Sequence, residues 1–166
     1  MILPALVITD VDGVLTDGGI FYDELGNKIK KFNTSDGSGV LFLRALDIPV
    51  AIISGDPSEA VRNRGKKLNL DHVYVGVHNK VEKATEICQQ LGIDLQQVAF
   101  IGDDLVDLKL LQQVGFSAAP ANAPDYVKER VDYVTTKKGG DGAFREFVEY
   151  ILIQNKLLDQ ALAPFL

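Results

Sequence analysis

The sequence predicts an α/β fold, a doubly wound parallel sheet. Short apolar runs alternate with helical patterns along the whole chain. The connections between them are short, as right-handed crossovers require. Several of the apolar runs end in residues capable of chemistry, which suits the carboxyl edge where open α/β sheets keep their ligands.

Leu6 to Thr9 is the first expected strand, and it runs straight into Asp10-Val11-Asp12-Gly13. Residues i and i+2 of a strand point the same way, so Asp10 and Asp12 can share one site. Two neighbouring carboxylates repel unless a proton or a metal lies between them, and a hard, oxygen-seeking ion such as Mg²⁺ suits the pair. Gly18 to Tyr22 and Lys28 to Phe32 flank a Gly26-Asn27 turn and read as a β-hairpin inserted at about 18–33. Its apolar residues Phe21 and Ile29 need cover.

The small polar stretch Asn33-Thr34-Ser35-Asp36-Gly37-Ser38-Gly39 leads into a helix over Val40 to Leu46, with Ser35 or Asp36 as its N-cap. Val50 to Ile53 is a buried strand ending in Ser54-Gly55. Asp56-Pro57-Ser58-Glu59 then reads as a helix start, with Asp56 as cap and Pro57 in the first position. That helix runs to about Leu68 and carries Arg62, Arg64, Lys66 and Lys67. His72 to Val75 is a third strand, after which Asn79 caps a helix from Lys80 to Leu91 that Gly92 stops.

Val98 to Ile101 is a fourth strand, closing on Gly102-Asp103-Asp104, and Leu105 to Val114 is helical. A strand at Phe116 to Ala118, a short helix opened by Pro124 and a strand at Tyr133 to Thr135 follow. Gly139-Gly140-Asp141-Gly142 precedes a helix from Ala143 to Lys156, and the tail from Leu157 to Leu166 is expected to be loosely held.

At 166 residues the expectation is a single domain with a real core. A net charge of −6 argues against nucleic acid as the main partner. Neither a signal peptide nor an apolar run near the roughly 20 residues of a membrane span is visible, so a cytoplasmic protein with no membrane partner is expected. The single cysteine, Cys88, lies in a helical pattern and reads as a small buried apolar residue.

Four strand ends thus carry Asp10 and Asp12, Ser54, Lys80, and Asp103 and Asp104. Taken singly, Ser54 reads more readily as a turn residue and Lys80 as a solvated helix start, while the aspartates read equally as turns or helix caps. Parallel strands bring their carboxyl ends to one edge, where together they form one coherent site. A nucleophilic carboxylate, a second acid, a hydroxyl, a lysine and a further metal-binding acid suit phosphoryl transfer through an aspartyl-phosphate.

Asp10-Val11-Asp12-Gly13-Val14, Ile53-Ser54-Gly55, Lys80 and Gly102-Asp103-Asp104-Leu105-Val106-Asp107 resemble, in order, the four motifs of the haloacid dehalogenase superfamily of phosphatases. The resemblance implies a Rossmann-like core with Asp10 as nucleophile and Asp12 as general acid and base. Ser54 and Lys80 would hold the phosphate, and Asp10, the backbone carbonyl of Asp12, and Asp103 would bind Mg²⁺. The intervals between motifs leave room for the hairpin but for no lid domain, so the resemblance is to capless members.

The stretch from Phe32 to Gly39, the hairpin before it and Lys138 to Glu146 resemble the KDO 8-phosphate phosphatase branch, which implies a homotetramer whose hairpins pack against other subunits. Within it, Thr34-Ser35 and the series Arg62, Arg64, Lys67 look more like the phosphatases of nine-carbon 2-keto-3-deoxy sugar acids. Thr34, Ser35, Asp36, Gly37, Ser38, Gly55, Asp56, Arg64 and Lys67 are then the expected substrate contacts, with Arg64 and Lys67 reaching a neighbour's site. Asp56 stands where those nine-carbon members carry Glu, one methylene longer. The eight-carbon KDO 8-phosphate is the first alternative. A phosphatase of phosphoprotein or nucleic-acid ends, with the polymer as its lid, and a non-catalytic Mg²⁺-binding oligomeric module are the others.

Overall fold

A computed structural model describes residues 2–166. Its main sheet has six parallel strands in the order β5-β4-β1-β6-β7-β8, where β1 is Leu6–Thr9, β4 is Val50–Ser54, β5 is His72–Val75, β6 is Val98–Ile101, β7 is Phe116–Ala119 and β8 is Tyr133–Val134. A separate antiparallel hairpin pairs β2 (Phe21–Tyr22) with β3 (Lys28–Ile29). The helices are α1 (Ser35–Arg44), α2 (Glu59–Lys67), α3 (Lys80–Leu91), α4 (Leu108–Leu111), α5 (Asp125–Lys128), α6 (Ala143–Gln154) and α7 (Leu158–Leu162).

The central strands β1, β4 and β6 are buried and almost wholly apolar because both sheet faces are covered there. The period of two divides the core accordingly. Val7, Ile52, Ala99 and Ile101 pack with α1, α6 and α7 on one face. Leu6, Ile8, Ala51, Ile53, Val98 and Phe100 pack with α3, α4 and α5 on the other, where Cys88 is buried as expected. From β1 the chain winds outward through β4 and β5, then returns to β6 on the far side of β1 and winds the other way. The crevice between the ends of β1 and β6 is therefore the topological switch point, the usual ligand position in such sheets. Between β1 and β4 the chain contains the hairpin and α1, with no lid domain. No helix among the described residues is long and apolar enough to cross a membrane.

Several expected boundaries move. Helix α1 begins at Ser35 with Thr34 at its N-cap position, so neither Ser35 nor Asp36 is the cap. Helix α2 begins only at Glu59, behind Ser58. Asp56 and Pro57 stay outside it because the Asp56 carboxylate is drawn to Lys28 and Lys30 of the hairpin. The helix expected over 105–114 is a 3₁₀ turn at Leu105–Asp107 followed by α4. The tail is not loose: α7 packs on α1 and α6, and the Phe165 ring meets Phe42 edge-on at 6.3 Å.

Candidate active site

Asp10 leaves the end of β1 with its backbone N–H on the Ile101 carbonyl of β6 (3.0 Å), which fixes it at the switch point. Lys80 enters from the first residue of α3, whose start Asn79 sets by accepting the Glu82 N–H at 3.2 Å. Lys80 Nζ donates to Asp10 Oδ1 at 2.7 Å and to Asp107 Oδ1 at 2.5 Å, and the residue is 4% exposed. Asp107 is fully buried, and its Oδ2 also accepts the N–H groups of Asp103 (3.0 Å) and Asp104 (3.2 Å). It thereby ties the lysine to the loop after β6.

One ammonium faces three carboxylates here. Burial pushes the Asp10 carboxyl up to about 6, against the pull of Lys80. Burial and the repulsion of Asp10, Asp107 and Asp104 push Asp103 up to about 8. Burial lowers the Lys80 ammonium, but Asp10 and Asp107 outweigh it, so its pKa stands above the usual lysine value. The surplus negative charge calls for a further cation. Asp10, Asp103 and Asp107 each offer an oxygen within 4.8 Å of the others, a set of hard donors that fits Mg²⁺. Gly13 makes this approach possible: a Cβ there would lie 1.9 Å from Asp103 Oδ2, and its φ of +91° suits glycine.

The Asp12 carboxylate lies outside this trio. Lys30, just past β3, donates to its Oδ1 at 2.5 Å and its Oδ2 at 2.6 Å. The same ammonium lies 2.8 Å from Asp56 Oδ2, and Lys28 pairs with Asp56 Oδ1. Ser54, 1% exposed at the end of β4, accepts the Asp56 N–H at 3.3 Å and so shapes the turn through Gly55.

The expected substrate contacts divide. Asp36 is 2% exposed and turned inward, where its Oδ1 accepts the Arg145 N–H at 3.1 Å. It serves the start of α6, because Gly142 at that N-cap has no side chain to do so. Burial holds the Asp36 carboxyl up at about 6, and its Oδ2 has no hydrogen-bond partner among the described residues. Asp36, expected as a substrate contact, is thus engaged within the fold. Gly37 faces Leu68 and Arg64. Arg64 is half-buried, donates to the Asn33 carbonyl at 3.0 Å and lies over the Phe32 ring at 5.6 Å. Thr34 and Lys67 are exposed, and Ser35 and Ser38 are half-buried. None of these residues is hydrogen-bonded to the carboxylate cluster among the described residues.

Asp107, Lys30 and Gly139 have roles that the sequence reading did not assign. The spacing Asp103 to Asp107, one helical turn, could have exposed Asp107. Gly139 and Gly140 press on the loop that carries Asp12: Gly140 N–H donates to the Val14 carbonyl at 3.0 Å, and a Cβ on Gly139 would stand 1.7 Å from the Gly13 carbonyl oxygen. Backbone meets backbone there, so the clash has no flexible side chain to absorb it. Gly139→Ala is expected to cost about 2 kcal/mol or more in chemical denaturation and to lower turnover with it. Wild-type stability in that variant would remove the close approach from the account.

Residues 73–147 match the haloacid dehalogenase-like hydrolase family. The chain is 45% identical over 146 residues to the 3-deoxy-D-manno-octulosonate 8-phosphate phosphatase KdsC of Haemophilus influenzae, covering 88% of this chain and 81% of that protein. The crystal structure of the 3-deoxy-D-manno-octulosonate 8-phosphate phosphatase of Moraxella catarrhalis, in complex with magnesium ion, phosphate ion and KDO, superposes with a TM-score of 0.93 at 39% identity, over 98% of this chain and 94% of that one. The cobalt-bound Haemophilus influenzae enzyme gives 0.90 at 42% identity, over 94% and 91%. With a Lys80–Asp10–Asp107 cluster at the switch point and no lid domain among the described residues, the protein belongs to the haloacid dehalogenase-like hydrolases, in the capless branch of KdsC-type phosphatases.

Proposed function

We propose that the protein is a Mg²⁺-dependent phosphatase that removes the terminal phosphate of a 2-keto-3-deoxy sugar acid, with KDO 8-phosphate as substrate. The observation that carries the reading is the buried Lys80 clamped between Asp10 and Asp107 beside Asp103. Lys80 favours the ionised, nucleophilic form of Asp10 in a buried place that otherwise opposes it. Asp10 Oδ attacks phosphorus, and the P–O bond to the sugar breaks with its electron pair on the departing oxygen. Asp12 gives that oxygen a proton, then takes one from the water that attacks the phosphoaspartate, whose Asp10 Oδ–P bond breaks to return the carboxylate and release inorganic phosphate. Ser54 and Lys80 hold the phosphoryl oxygens. Mg²⁺, held by Asp10, Asp103 and the Asp12 carbonyl, would add positive charge where the phosphoryl group transfers.

The KdsC relatives favour the eight-carbon substrate, the first alternative to the nine-carbon acids. The nine-carbon reading rests on Thr34, Ser35, Arg62, Arg64 and Lys67, with Asp56 already a departure from the Glu of those members. Asp56 is paired with Lys28 and Lys30, and Arg64 holds the Asn33 carbonyl, which weakens that case. A comparison of kcat/KM for KDO 8-phosphate with the nine-carbon 9-phosphates decides it: preference for the eight-carbon ester is expected, and a reversed order restores the nine-carbon reading.

The exposed Phe21, Tyr22, Leu25 and Ile29 of the hairpin support a homotetramer in which neighbours cover them and complete the sites. Sedimentation equilibrium tests it, and a monomer turning over phosphorylated polymer ends would support the polymer reading instead. The metal assignment has its own test. EDTA is expected to silence the enzyme, Asp103→Ala to raise the Mg²⁺ requirement steeply, and Ca²⁺ to inhibit because it tolerates extra ligands and misplaces the nucleophile. Full activity in EDTA would contradict the assignment.

A further inference from the structure

The hairpin holds one side chain that does not behave like its neighbours. Phe21, Tyr22, Leu25 and Ile29 are exposed, whereas the Lys30 side chain is 0% exposed. It turns back under the hairpin and ends between two carboxylates that belong to different strand ends, Asp12 after β1 and Asp56 after β4. Its grip on Asp12 is on both oxygens, at 2.5 and 2.6 Å, so it fixes where the head of that carboxylate stands. Asp56 in turn holds Lys30 at 2.8 Å and is held by Lys28 and by the Ser54 turn.

From this chain of contacts we infer that Lys30 is a positioning residue for Asp12, and that Asp56 anchors Lys30 rather than meeting the substrate. The inference rests on the phosphatase reading above. An ammonium that merely docked the hairpin would need only one carboxylate partner, and Asp56 supplies it. The bidentate contact on Asp12 is the part that docking leaves unexplained. Asp12 must stand at one place twice, first beside the departing oxygen and then beside the attacking water. Lys30 gives it that place from outside the sheet, and Asp56 keeps Lys30 from swinging out to solvent.

p-Nitrophenyl phosphate separates the two steps, because p-nitrophenolate leaves without a proton whereas the water still needs Asp12. Stopped-flow release of p-nitrophenolate, with acid quench of the phosphoenzyme, gives its formation and decay rates. Lys30→Met is expected to slow decay at least about ten-fold, within the range for a misplaced general base, and to change formation less than about two-fold. The phosphoenzyme then accumulates, and kcat falls with KM while kcat/KM holds. Lys30→Arg is expected to recover part of the decay rate. Asp56→Asn is expected to show a smaller loss of the same kind, and to add nothing in the Lys30→Met background.

Equal slowing of both steps, unchanged decay, or an Asp56→Asn effect that persists without Lys30 would overturn the inference. If Lys30→Met does not fold, the Lys30→Arg and Asp56→Asn arms decide by the same criterion. Should the wild type release no p-nitrophenolate, the phosphatase reading itself has failed, which is a different result from any of these.

Discussion

Asp10→Asn is expected to bring turnover below about one thousandth of wild type, because an amide of the same shape does not attack phosphorus and loss of a covalent nucleophile is rarely compensated. The fold should survive. Asp10 is held by its backbone N–H on Ile101, which the substitution leaves intact. Its carboxylate is also one of three crowded acids, so removing its charge relieves repulsion on Asp103. Thermal unfolding without metal should therefore show a variant at least as stable as wild type. Activity above about one hundredth of wild type would remove Asp10 from the nucleophile's role.

Lys80→Met should damage both activity and stability. A phosphate-clamping cation in a closed site is worth about 10²–10³ in kcat. Removing the lysine also leaves Asp10 and Asp107 buried without their shared counter-ion, a change that costs about 3–5 kcal/mol when the partners stay charged. The pH dependence follows from the raised carboxyls. Asp10 near 6 and Asp103 near 8 bind protons in the folded state that the unfolded chain has already released above its ordinary value of 3.8. Metal-free protein therefore loses stability as pH rises from about 4 towards 8. Lys80→Met should steepen that loss, with a larger deficit at pH 8 than at pH 5. Mg²⁺ should restore more melting temperature in the variant than in wild type, since it supplies the missing positive charge. Equal deficits at both pH values would show that the lysine's contribution is packing alone.

Most of the fold was legible because its determinants are local. Apolar strands such as Val98 to Ile101 and capped helices such as Asn79 to Gly92 announce themselves by period and by cap chemistry. The proximity of Asp10, Lys80 and Asp103 was legible for a topological reason, since parallel strands bring their carboxyl ends to one edge.

What escaped depends on partners far away in sequence. Asp36 belongs to a small polar stretch of sequence and reads as a pocket residue. Its partner, the Arg145 N–H, lies 109 positions on and exists only because α6 starts at a glycine. Lys30 lies in the run Lys28-Ile29-Lys30-Lys31, which has the appearance of a solvated edge, and nothing local distinguishes the one lysine that turns inward. The tail reads as weakly apolar, and only the Phe42 and α6 surfaces reveal why it stays ordered.

The central claim is that the reaction passes through a phosphate ester on Asp10. Borohydride reduces an aspartyl-phosphate to the corresponding alcohol and leaves free carboxylates alone, so peptide mass mapping after quenching a working enzyme reads the position directly. With KDO 8-phosphate and Mg²⁺ present, reduction is expected at Asp10 alone, and none is expected in EDTA. Reduction at Asp12, Asp103 or Asp107, or none at any of them while phosphate is being released at the full rate, would contradict it.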